Sequence, residues 1–576
     1  MHVLAGRPPT VDLAGEREHL LIDRPGTDDV VRWPGPISVG LSLGAWAAGG
    51  RAVRPTDHLE AAGDVAWSSS VVPPFGALIR RGPADPLVVT TDMCGLRHVH
   101  LVEGDGWAAC STSGLLLAAI AGVSLDADPS TTAALAGHQL GDRTPFEGVR
   151  RLDAAHRLEL HAGAATCIPF APLADRERRP EGNASPAGLH DAAEAGARVV
   201  ERVVGEALDS HPGTGLELSG GLDSRMLLAA IPEDRRAGRW ALTLAAPGNP
   251  DVTVARRLAA ACDLEHEVVD LSELARLSPG EALEMVTRAA LRRDATTDPV
   301  AGAVLDFAAY RTEGRPLLTG QNGEFARGYY YPGQPAWPRT TRALVRHLAR
   351  WRILTSAPVD GAIFGRHGQE IRRRAVAELE RRLETIAGAW PDATDELYLA
   401  VRMQNWVGRD FSTAATERQV VAPFFHPAFL SWARGAPRRL KGGSRLFAAV
   451  LEQLDPRLAT LELDTGLRPV DLARPSCPRR ADAMVRFARK ALRKASLRVV
   501  PGRGATPPAG AAALAASVTR AWATRPDALS RLRNLEFLDA DVVEAVASGR
   551  RAASTATVGY LAALDAALGF LAAIDR

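Results

Sequence analysis

The hexapeptide Ser219-Gly220-Gly221-Leu222-Asp223-Ser224 stands between a short apolar run, Leu216-Glu217-Leu218, and a helix-like stretch from Arg225 to Ala230. A glycine-rich turn between a buried strand and a helix start points backbone N–H groups and the positive end of a helix at an anion. Ser219 and Ser224 add hydroxyl donors, while Asp223 places a carboxylate where a phosphate would repel it. A divalent cation resolves that conflict, so the stretch reads as a nucleotide cradle with Asp223 as a magnesium ligand. The bland alternative is a Gly-Gly turn that merely caps a helix with Asp223 and Ser224. The lysine followed by Ser or Thr, and the longer glycine spacing, that mark a kinase-type phosphate loop are absent.

The surrounding pattern alternates strand and helix. Apolar runs at 216–218, 240–244 and 266–269 read as strands, with helical periodicity from 222 and over 252–261 between them. Helical patterns over 279–293 and 300–312 lead to a buried-strand candidate at 316–319, which ends in Gly320-Gln321-Asn322-Gly323-Glu324. Such alternation specifies a parallel sheet with helices on its faces. Ligands bind beyond the carboxyl ends of such strands, so this second turn and the first can face one crevice.

A chain of 576 residues is too long for one core, and two to four units are expected. The first 175 or so residues carry short apolar stretches broken by Gly, Pro and Asp, as in a β-rich domain. A polar linker is expected over 175–186 and a helix over 189–207. Beyond Thr340 the sequence is mainly amphipathic helix, interrupted at 422–423 and 434–441, with a loop or linker at 499–511 before the final Ala- and Leu-rich helices. The expected division is 1–180, 187–470 and 471–576.

Lys and Arg number 69 against 67 Asp and Glu, so a net charge of +2 gives no broad field for nucleic acid or membrane. The cluster Arg372-Arg373-Arg374 reads as a solvated helix face. Cys94, Cys110, Cys167, Cys262 and Cys477 are scattered without CxxC spacing, which argues against a disulfide framework or structural zinc and fits a reducing cytoplasm. Neither a secretory N-terminus nor a run of about 18 uninterrupted apolar residues is present, so neither secretion nor a membrane location is expected.

SGGLDS resembles the loop of the ATP pyrophosphatases, and the order of features over roughly 75–465 resembles the asparagine synthetase family. In the front half, Asp92-Met93-Cys94-Gly95-Leu96-Arg97 is similar to the family's Asp-x-x-Gly turn and Ser111-Thr112-Ser113 to the strand end after it. Phe146-Glu147-Gly148-Val149 is similar to its Phe-x-Gly-Val hairpin. Pro250-Asp251, Ala255-Arg256 and Glu265-His266 match the family spacing, and Thr319 to Glu324 is similar to its Ser-Gly-Glu-Gly-Ala-Asp turn. The resemblance implies an α/β chain: an N-terminal Ntn-hydrolase-like α+β domain, an ATP-pyrophosphatase parallel-sheet domain and a helical C-terminal extension. It also implies ATP and Mg2+ as cofactors. ATP would be held by Leu218, Ser219, Gly220, Gly221, Asp223, Ser224, Thr319 and Gly320, with adenine at the backbone of Leu244. Glu324 would be a second magnesium carboxylate, a helix cap being its bland alternative.

Several positions depart from the family. Glutamine hydrolysis there needs cysteine as the first residue of the mature chain; here Met1 precedes His2, so no glutaminase is expected and the front domain is left as scaffold. Val421, just before Ala422-Pro423-Phe424-Phe425-His426, and His426 at its end stand where the family has arginine and aspartate. Arg445, with Lys441 as the alternative, stands near the family lysine that neutralises departing pyrophosphate. Gln321 occupies the place where β-lactam synthetases carry tyrosine.

The activity this implies is adenylation of a carboxylate followed by amide formation. The leading expectation is a lactam or macrolactam synthetase of specialised metabolism, with lasso-peptide cyclisation as the concrete case. Its substrate would be a small molecule or peptide, delivered with a precursor-peptide-processing partner. The alternatives are an asparagine synthetase-like enzyme using free ammonia, a tRNA-modifying pyrophosphatase, which the charge disfavours, and a non-catalytic scaffold.

Overall fold

The computed structural model describes residues 2–5, 18–21, 37–41, 45–53, 57, 69–82, 85–170, 186–246, 248–331, 341–354, 359–384, 390–415, 418–474 and 510–574. Its front part holds two five-stranded antiparallel sheets. The alternating apolar residues of strands Leu87–Thr91 and His156–His161 in one sheet meet those of His100–Gly104 and Trp107–Ser111 in the other. Val89, Leu158 and Leu160 share one buried cluster with Leu101, Ala108 and Cys110, so the sheets are stacked. The helix Gly114–Ala121 lies against the outer face of the second sheet through Leu115 and Ala118, which cluster with Val102 and Ala109.

The second part is built on a five-stranded parallel sheet. In sequence its strands are Gly215–Glu217, Trp240–Ala245, Glu265–Asp270, Leu317–Leu318 and Val420–Val421. In space the third, second, first, fourth and fifth follow one another. The first and fourth strands are neighbours, and the chain reverses its direction of winding between them. Helices Leu222–Ala230 and Pro250–Ala261 cover one face, packing Met226, Leu227 and Leu258 beside Leu216 and Leu318. Helices Pro279–Arg292 and Pro299–Arg311 cover the other, with Val286 and Val304 beside Leu242 and Leu317. The expected strands and helices of this part all appear, with the first helix longer than expected, Pro186–Ser210. The expected linker at 175–186 and loop at 499–511 lie almost wholly outside the described residues.

The C-terminal helices Ala511–Ala523 and Thr555–Ile574 pack on Pro279–Arg292 and Pro299–Arg311. The last is long and apolar enough to cross a membrane by length and composition, yet more than half of it is buried in this packing. Asp565 in its middle faces Arg531 at 3.5 Å.

Asp294, buried beyond the helix Pro279–Arg292, joins the two parts. It accepts from Ser113 Oγ at 2.6 Å and Gly114 N at 3.0 Å at the start of the front helix, and from Arg409 Nη1 at 2.7 Å. Arg97 reaches the same region from the Asp92 turn and donates to Leu41 O and Ser412 O. Removing one partner of a buried pair leaves an uncompensated charge. Asp294→Ala is therefore expected to lower stability by about 3–5 kcal/mol, and Asp294→Asn by less, measured by chemical denaturation.

Candidate nucleotide and condensation site

The central strand ends at Glu217, and Leu218 N donates to Leu242 O of the next strand before the chain turns away. In the turn, Ser219 N donates to Ser224 Oγ at 3.1 Å, the two hydroxyls lie 3.0 Å apart, and Gly221 N donates to Ser219 Oγ. The hydroxyls thus close the loop on itself. The helix Leu222–Ala230 begins at Gly221 with no side-chain cap, so its first N–H groups face the end of the strand. The helix-capping reading of Asp223 and Ser224 is not what the structure shows.

Gly220 is clamped from two sides. Its N–H donates to Asp251 Oδ1 at 2.7 Å and its carbonyl accepts from Asp464 N at 3.1 Å. A Cβ here would lie 2.8 Å from Asp251 Oδ1 and 2.9 Å from Asp464 Cβ, so only glycine fits. Asp464 is brought there by Arg225, fully buried in the helix, which donates to the carbonyls of Leu458, Leu461 and Glu462.

The second turn lies directly on the first. Thr319 N donates to Val421 O, and its hydroxyl accepts weakly from Gln321 N. A Cβ on Gly320 would come within 3.1 Å of Asp223 Cβ, and one on Gly323 within 2.2 Å of Asp223 Oδ1. Glu324 follows in the short helical turn Gly323–Arg327. Its Oε2 accepts from Tyr398 Oη at 2.8 Å and makes no cap, which sets aside the capping reading. Leu244 lies near the end of the strand one step out from the first loop, in register with Val269.

Arg327 connects the two acids. Its guanidinium is 2.5 Å from Asp223 Oδ2 and 3.7 Å from Glu324 Oε1. Asp223 Oδ1 is shielded from solvent without a hydrogen-bond partner. Burial pushes the Asp223 carboxyl up, Arg327 pulls it down and Glu324 adds to the rise. Two hard carboxylates with one unused oxygen fit magnesium, which is commonly held by one or two carboxylates together with a nucleotide's phosphates. No cluster of three or more metal-ligating side chains occurs among the described residues.

Lys441 and Arg445 flank this turn differently. Lys441 is buried, with Nζ 2.9 Å from Asp395 Oδ2 and 5.4 Å from the centre of the Phe325 ring. Tyr331 also donates to Asp395. Arg445 is half-buried at the start of the helix Arg445–Leu454, and its Nε donates to Ala473 O at 3.3 Å. Arg445 has no ion pair among the described residues, whereas Lys441 is committed to one.

His426 has taken over a structural task. It is the N-cap of the helix Pro427–Gly435, where Nδ1 accepts from Ala428 N at 3.0 Å, and Nε2 lies 3.2 Å from Glu206 Oε2. Val421 pairs with Leu318 in the sheet. The residues that sequence reasoning missed are Arg327, Tyr398 and the contact of Asp251 with Gly220. Arg327 stands three residues after Glu324, a spacing that signals a local pair but not its reach to Asp223.

Two outcomes follow from this geometry. Arg327→Met leaves two facing carboxylates, so the variant is expected to lose on the order of 2 kcal/mol of stability and to regain more of it than the wild type on adding Mg2+, read by thermal melting. Burial holds the His426 ring down to about 4, against the pull of Glu206, from an ordinary 6.5. The unfolded chain then binds a proton that the folded chain refuses, and stability falls as pH drops through that window. His426→Asn keeps a cap acceptor and should lack that loss, a difference approaching about 1.4 kcal/mol per pH unit in denaturation at pH 7 and pH 5.

Residues 196–453 match the family model for asparagine synthase. No curated protein matches the chain. The matched segment holds both turns, the sheet that carries them and Lys441, and over that segment, less than half of the chain, the protein is similar to the asparagine synthetase family.

Proposed function

We propose that this chain is an ATP-dependent amide-bond-forming synthetase that closes a lactam or macrolactam, as in the cyclisation of lasso peptides, on a substrate that carries both reacting groups. The family supports ATP-dependent formation of C–N bonds in general. The observation that carries the reading is the meeting of Asp223 and Glu324 on adjacent turns at the carboxyl ends of neighbouring strands, where an open parallel sheet binds its ligand. In the front domain, Cys94 and Cys110 are buried, and burial pushes the Cys110 thiol up to about 12, which favours scaffold over glutamine hydrolysis.

A substrate carboxylate oxygen attacks the α-phosphorus of ATP and pyrophosphate leaves. The amine then attacks the acyl carbon of the adenylate and AMP leaves. The first loop orients the phosphates with its helix start, Asp223 and Glu324 would hold magnesium, and Arg445, with Lys441 as the alternative, would add positive charge on the pyrophosphate side. Magnesium bound there would offset the charge on the departing oxygens. Cys110, Cys167 and Cys262 are in no disulfide, in keeping with a cytoplasmic enzyme; its substrate would be met as a precursor peptide together with a processing partner.

The test is pyrophosphate release from ATP and Mg2+ by the purified chain. It is supplied in turn with peptides bearing a free N-terminal amine and an acidic side chain, and with aspartate plus ammonia. Release with peptides alone, a product lighter by one water, and a loss of about a hundredfold or more in Asp223→Asn are expected. Release with aspartate and ammonia instead would support the asparagine synthetase-like reading, and no release under either condition would favour a scaffold.

A further inference from the structure

Beside the second turn, on the face of the sheet away from helix Leu222–Ala230, lies a cavity of 190 Å³. Thr319 and Gln321 form one wall, so the cavity and the nucleotide loop share the turn that packs on Asp223. Trp406 and Phe411 are its aromatic sides. The charged groups at its base are already spent: Arg293 donates to both oxygens of Asp306 at 2.9 and 3.0 Å and to Asp410 at 3.1 Å.

Two other charged groups in the lining differ. Glu217 and Arg418 are half-buried and make no ion pair or hydrogen bond through their side chains among the described residues. The register places Glu217 level with Thr319 on the adjacent strand, since Gly215 pairs with Leu317 and Leu216 with Leu318. Arg418 stands two residues before Val420, which pairs with Leu317 on the far side of the same strand. Arg418 is thus level with residue 315, so the two backbones lie two strand spacings apart, about 10 Å across the sheet, and four residues apart along it, about 13 Å, a gap that the side chains narrow where both line the cavity. A half-buried charge against aromatic walls is costly unless a counter-charge meets it. One acid and one base that make no ion pair among the described residues, facing a common cavity, match a ligand that carries both signs on separate ends.

We propose that this cavity seats the amine-bearing part of the substrate, with an ammonium at Glu217 and a carboxylate at Arg418 joined by a short chain, so that the amine waits beside the turn that holds the adenylating centre. This rests on the synthetase reading above and names the substrate chemistry of its second half. A site of this kind prefers a separated zwitterion over either singly charged fragment, because each fragment leaves one wall charge unmet.

The experiment is calorimetric titration of the full chain with 5-aminopentanoate, pentylamine and pentanoate, and separately with ATP and Mg2+. The zwitterion is expected to bind at least about tenfold more tightly than either fragment, the difference that one charge-assisted contact supplies. Glu217→Gln should reduce 5-aminopentanoate to the affinity of pentanoate, and Arg418→Gln to that of pentylamine, with ATP affinity unchanged in both. Equal binding of the three probes, binding of none, or variants that keep the wild-type preference would overturn the proposal. ATP binding without zwitterion preference removes the cavity assignment alone, while zwitterion preference without ATP binding removes the synthetase reading and leaves the cavity.

Discussion

The site depends on one strand pairing. Gly215 and Leu216 lie opposite Leu317 and Leu318, a hundred residues away, and this short parallel contact brings two unrelated turns together. Everything at the centre follows from how closely they approach. Gly323 must be a glycine because Asp223 fills the space where a Cβ would go, and a Cβ on Gly320 would press on Asp223 and Ser224 at 3.0–3.1 Å. Gly220 must be one because Asp251 and Asp464 close on it from outside. Each glycine here is fixed by a neighbour's atoms and not by a left-handed backbone.

Bringing two acids into one partly buried place carries an electrostatic cost, and the surrounding residues meet it with fixed cations and donors. Arg327 bridges Asp223 and Glu324, while Tyr398 donates to the far side of Glu324. Lys441 is balanced by Asp395 a short way off. This leaves one net negative charge at the centre before any ligand binds, with one carboxylate oxygen of Asp223 unused.

The front sheets and the C-terminal helices act on this centre through packing. Asp294 and Arg97 fasten the front domain to the helical region that follows Tyr398, and that region supplies Trp406, Phe411 and Asp410 to the cavity beside the second turn. The helix Thr555–Ile574 covers Pro279–Arg292 and Pro299–Arg311, so its apolar surface is spent inside the protein. The same helical segment that meets the front part through Arg409 and Ser412 therefore shapes the wall of the cavity through its neighbouring residues.

Much of this was legible in the chain itself. The strand-loop-helix around Ser219 to Ser224, the alternation that made a parallel sheet and the turn at Thr319 to Glu324 all rest on local periodicity and turn chemistry, which the sequence carries directly. It also singled out Asp223 and Glu324 as acids in anion-binding turns, and left Lys441 and Arg445 as alternatives because their distinction is not local. Only the tertiary structure decided that Arg327 stands between the two acids, that Lys441 is committed to Asp395 while Arg445 has no ion pair among the described residues, that His426 caps a helix against Glu206, and that Glu217 and Arg418 face one cavity. The reason is physical: a residue's type and its near neighbours set what it can do, but the partner of a charged side chain is chosen by which strands pair and which faces are buried, and those contacts join positions tens to hundreds of residues apart.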